Sequence, residues 1–71
     1  MHRFLVIIEK AGKNYSAYSP DLPGCIATGK TLTDAEKNMH SAMEMHVKGL
    51  IEDRQKIPRA AAISEYIAVA V

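Results

Sequence analysis

The chain has 71 residues, with 9 basic and 8 acidic side chains and a single cysteine, Cys25. A chain this short builds one domain, residues 1–71, with a marginal core. One cysteine excludes an internal disulfide, so a second subunit is the expected source of extra stability. A formal charge of +1 argues against nucleic-acid binding, which needs a basic excess. The apolar run Phe4–Ile8 is too short for a signal core or a membrane span, so a soluble, cytoplasmic protein is expected.

Residues 3–9 read as a first strand, because Phe4 to Ile8 are continuous, apolar and partly β-branched. The lack of alternation predicts a central strand covered on both faces. Gly12 and Asn14 supply turn chemistry, and Tyr15 to Ser19 form a second strand that closes a hairpin. The run Pro20-Asp21-Leu22-Pro23-Gly24-Cys25 follows. Its two prolines exclude a regular element, and Pro23-Gly24 fits the centre of a type II turn. Asp21 is expected to accept backbone N–H bonds within this turn. Cys25 to Thr28 read as a third short strand, closed by Gly29.

The helix carries the clearest signal. Thr33 is expected to cap it, with Glu36 completing a capping box, and it should run to Glu52 or Asp53. Glu44 and Lys48 have the order of an i,i+4 pair. Pro58 ends helical continuation, and Tyr66 to Val71 read as a last strand. Ile67, Val69 and Val71 share one side of it; Tyr66, Ala68 and Ala70 share the other. The expected fold is α+β, in the order β-β-β-α-β. The last strand should lie parallel to the first, and a right-handed crossover gives a sheet order of 3-2-1-4 with the helix on one face.

On a helical wheel Ala35, Met39, Met43, His46, Val47 and Leu50 form the stripe that meets the sheet. Met45 lies off it, beside Ser41 and Gly49, and widens the apolar arc to roughly 240°. One helix cannot cover both sheet faces. Ser41, Met45 and Gly49, together with Tyr66, Ala68 and Ala70, are therefore the expected protein interface.

Catalytic and metal chemistry find little support. Cys25 has no Cys-x-x-Cys partner and no histidine placed by a local pattern. His40 and His46 are six residues apart and point about 120° from each other, which is wrong for two ligands on one helix face; His2 is remote in sequence from both. The basic residues Arg54, Lys56 and Arg59 sit beside Glu52 and Asp53 without interleaved aromatics and read as a solvated linker. The protein is expected not to be an enzyme and to use no metal or cofactor.

Three segments carry a resemblance: Tyr15-Ser-Ala-Tyr-Ser-Pro-Asp-Leu-Pro-Gly-Cys25, Thr28-Gly-Lys-Thr-Leu32, and Ala42-Met-Glu-Met-His46 followed by Gly49-Leu50. Across about Arg3 to Pro58 the chain resembles the HicB antitoxin family, in particular its small N-terminal domain. The resemblance implies a partial RNase-H-like fold. It also implies binding and neutralisation of a small HicA-type toxin that cleaves mRNA, and self-association as a dimer or tetramer. Family members often add a C-terminal DNA-binding segment. This sequence reaches Val71 without a second helical segment, so operator binding is not expected. The other reading is a homo-oligomeric interaction module with no toxin partner.

Overall fold

The computed structural model describes residues 2–71. Three strands precede one long helix: β1 (Ile7–Ala11), β2 (Asn14–Tyr18), β3 (Ile26–Gly29) and α1 (Leu32–Glu52). The strands form an antiparallel meander in the order β1-β2-β3. Ala11 pairs with Asn14, which leaves Gly12-Lys13 as a two-residue hairpin loop. Gly12 has φ +62, and a positive φ at the first loop position is the pattern of a type II′ turn.

The register sorts side chains between two faces. Ile8, Ala17 and Ala27 lie in one row and face the helix, where Ala17 is fully buried. With Leu22, Cys25 and Met39, Ala17 forms the core, and Phe4, Val6, Met43 and Val47 pack around it. Ile7, Tyr18 and Ile26 form the neighbouring row and face the other way. The helix sits chiefly over β3 and β2, and only lightly over β1.

The helix begins two residues earlier than expected. Its N-cap is Thr31, whose Oγ1 accepts a 3.0 Å hydrogen bond from the Asp34 N–H. Thr33 and Glu36 lie inside the helix, exposed, so the expected box between them is replaced by this cap. The Asn38 side chain donates to the Thr28 carbonyl at 2.7 Å and ties the second helical turn to β3. At the other end Arg54 takes φ 55, Gln55 N–H donates to the Leu50 carbonyl and Arg54 N–H to that of Ile51. That pair of bonds is a Schellman motif, which stops the helix at Glu52 without a glycine.

The expected fourth strand is not in the sheet. Residues 55–71 make no ladder, and Tyr66, Ile67, Val69 and Val71 are exposed. Strand one is therefore an edge strand and β2 the central one, correcting the expected order 3-2-1-4. The ladder of β1 begins at Ile7, later than expected, because β2 ends at Tyr18 and Pro20 turns the chain away from residues 2–6. The projecting tail gives a radius of gyration of 13.9 Å. A compact chain of this length has about 11 Å.

Candidate interaction surface

The Pro-rich segment is two consecutive β-turns. Leu22 N–H donates to the Ser19 carbonyl at 3.2 Å, and Cys25 N–H to the Leu22 carbonyl at 3.1 Å. Gly24, at φ +82, occupies the third position of the second turn, as a type II turn requires. The turns point Leu22 and Cys25 into the core, while Pro20, Pro23 and Gly24 stay exposed. The segment read as a turn therefore also plugs one end of the sheet.

Asp21 does accept backbone N–H bonds, but not from its own turn. Its Oδ1 takes bonds from Ala61 and Ala62, at 3.0 and 3.1 Å. A single carboxylate thus holds the returning linker against the β2–β3 connection. Asp21→Ala should speed amide exchange at Ala61 and Ala62 while changing global stability by less than about 1 kcal/mol, since the clamp is only partly buried. Asp21→Asn keeps an acceptor oxygen and should retain part of the protection. Equal exchange in all three proteins would show that the clamp does not hold in solution.

Three apolar features remain uncovered. The first is the bare sheet face, where Ile26 is 68% exposed beside Tyr18 and Ile7. The second is a groove between α1 and β1, walled by Phe4, Val6, Ile8 and Met39, and continued by Met43, Val47 and Ile51. His2 and Phe4 stack at its mouth, with ring centroids 6.3 Å apart. The third is the tail. Of the residues expected at an interface, Met45 is 74% exposed and Ser41 is exposed, with Gly49 half-buried on the same flank. Tyr66, Ala68 and Ala70 are exposed on the tail, apart from that flank. Sequence reading missed Tyr18 and Ile26. The pairing of Ile7 with Tyr18 and of Tyr18 with Ile26 is what joins them into one patch.

Titratable groups bring little chemistry to these surfaces. Burial pushes the Cys25 thiol pKa up, the wrong direction for a nucleophile. His40 Nδ1 lies 3.2 Å from Glu44 Oε1 on the exposed side of α1, so Glu44 pairs with His40 where Lys48 was expected. His46 is half-buried on the stripe. Among the described residues no three His, Cys, Asp or Glu side chains group as a metal site, and no helix is long and apolar enough to cross a membrane.

The arrangement defines a class of protein: a small α+β domain with a three-stranded antiparallel sheet, one uncovered sheet face and a projecting apolar tail. Residues 4–70 match the family described as HicB-like antitoxin of bacterial toxin–antitoxin systems, and the chain belongs to that family. Its structure is similar to that of the N-terminal domain of the Burkholderia pseudomallei antitoxin HicB. The TM-score is 0.72 at 32% identity, covering 82% of this chain and 69% of that one. It is also similar to a chain of a HicA3–HicB3 toxin–antitoxin complex, with a TM-score of 0.67 at 29% identity, covering 78% and 64% of the two chains. An uncharacterised 14.9 kDa protein of Haemophilus phage HP1 is 37% identical over 62 residues, which are 87% of this chain and 47% of that protein. The chain thus spans about half the length of that relative. A UPF0150 protein of Synechocystis is 29% identical over 72 residues, covering 91% of its length.

Proposed function

We propose that this chain is a non-catalytic antitoxin module that neutralises a small HicA-type, mRNA-cleaving toxin by covering its surface. The observation that carries this reading is the similarity to a chain of a toxin–antitoxin complex over 78% of its residues, at 29% identity. The raised thiol pKa of Cys25 and the uncovered row Ile7, Tyr18, Ile26 support contact in place of catalysis. A toxin that cleaves mRNA works in the cytoplasm, so the module would act there. With a formal charge of +1 it would leave nucleic acid to other partners.

The test is to express any HicA-type protein encoded in an adjacent gene and to measure its binding by calorimetry and by relief of toxin-induced growth arrest. The intact chain should bind and rescue growth. Ile26→Asp should weaken binding by at least about tenfold, because it places a charge at the most exposed position of the apolar row. A neighbouring protein that neither binds the chain nor arrests growth would overturn the proposal.

A further inference from the structure

We infer that a water molecule is bound inside the β2–β3 connection, bridging Ser19 Oγ and Asp21 Oδ2, and that it holds the Asp21 carboxylate in the orientation its clamp requires. Ser19 is only 4% exposed, and its Oγ is buried without a hydrogen-bond partner in the protein. Asp21 Oδ2 is buried and unpartnered in the same way. The other oxygen of that carboxylate, Oδ1, accepts both N–H bonds from Ala61 and Ala62. Buried polar atoms in native proteins are nearly always paired, and an unpaired charged acceptor is the costliest exception. Ser19 and Asp21 are the first and third residues of one β-turn, closed at 3.2 Å by the Leu22 N–H and the Ser19 carbonyl. Two hydrogen bonds in series through one water span about 5.5 Å between the outer oxygens, a distance within the size of a β-turn.

The neighbouring backbone is already committed. Pro20 and Pro23 have no N–H to offer. The Leu22 and Cys25 N–H groups close the two turns, and those of Ala61 and Ala62 are spent on Oδ1. A carboxylate only accepts, whereas a hydroxyl both donates and accepts. Water suits this pair: the Ser19 hydroxyl donates to it, and it donates to Asp21 Oδ2. A metal ion suits the pair less well, because among the described residues no three His, Cys, Asp or Glu side chains group together. The consequence reaches the linker. The bonds to Ala61 and Ala62 fix one carboxylate oxygen, and the water fixes the other. Ser19 is thus a positioning residue for a clamp to which it makes no hydrogen bond of its own.

The experiment reads the water directly, in the 71-residue chain and without any toxin. Magnetic relaxation dispersion of the water oxygen should count one more long-lived internal water in the parent than in Ser19→Ala. Water-to-protein cross-relaxation in the parent should reach the Ser19 β protons. Ser19→Ala should keep its circular dichroism and speed amide exchange at Ala61 and Ala62 by about fivefold or more. In an Asp21→Ala background the same serine change should add nothing to that exchange, because the carboxylate through which it acts is gone. Equal water counts in the parent and Ser19→Ala would overturn the inference, since the hydroxyl and the carboxylate would then find their partners without the water. Unchanged exchange in Ser19→Ala would overturn the positioning role. So would an equal acceleration with and without the Asp21 carboxylate, the mark of a general loosening of the turn.

Discussion

Replacing Gly29 by alanine should destabilise the domain by about 3 kcal/mol or more, the upper end of what overpacking costs. A Cβ at this position would lie 2.4 Å from the Ala35 nitrogen, 2.7 Å from the Asp34 carbonyl carbon and 2.9 Å from the Ala35 Cα. All three are backbone atoms, so no side-chain rotation relieves the clash. The helix cannot slide away at low cost, since Thr31 caps it and Asn38 ties it to Thr28. Either β3 separates from the first turn or those bonds break. Two other glycines serve as controls for the same chemical change. Gly12→Ala meets nothing within 4 Å but sits at φ +62, and should cost only about 1 kcal/mol. Gly49→Ala also meets nothing, lies inside the helix, and should stabilise by up to about 1 kcal/mol. Urea unfolding of the three variants would check the order. A Gly29→Ala protein as stable as the parent would mean that β3 and α1 do not approach as closely as drawn.

Local signals were legible in the sequence and distant ones were not. Pro23-Gly24 announced its type II turn because the chemistry lies within four residues. The stripe Ala35, Met39, Met43 and Val47 announced the buried face of the helix through its period alone. The cap was misplaced because Thr31 and Thr33 both precede the helical pattern and Glu36 favoured the wrong one; only the bond to the Asp34 N–H separates them. Asp21 was rightly expected to accept N–H bonds, but its partners lie 40 and 41 residues away, beyond any local pattern. The same limit explains the tail. Its alternation was readable from residues 66–71, whereas its failure to join the sheet is written in no local pattern. The exposure of Met45 and the excess of apolar surface were legible, and the row through Tyr18 and Ile26 needed the register.

Leu22→Ala should cost about 2–5 kcal/mol, the range for emptying a buried leucine. Leu22 is fully buried among Ala17, Cys25 and Met39, although it comes from a turn. Turn residues are usually exposed. Here the two β-turns direct it inward, and it is one of the two largest side chains fully removed from solvent, the other being Met39. A domain of 71 residues has only about 4–11 kcal/mol of total stability, so this one change removes a large part of it. The Tm should fall by more than about 10 °C at fixed protein concentration, and the urea midpoint should fall with an unchanged slope. Leu22→Met preserves volume and should cost less than about 1.5 kcal/mol. The pair of variants separates filling from turn geometry, because neither touches the backbone bonds at Ser19 and Leu22 that make the turns. If both variants lose stability equally, the plug acts through its backbone and not through the leucine side chain. Loss of the plug also loosens the platform that carries Asp21. Leu22→Ala should therefore also release the Ala61–Ala62 clamp.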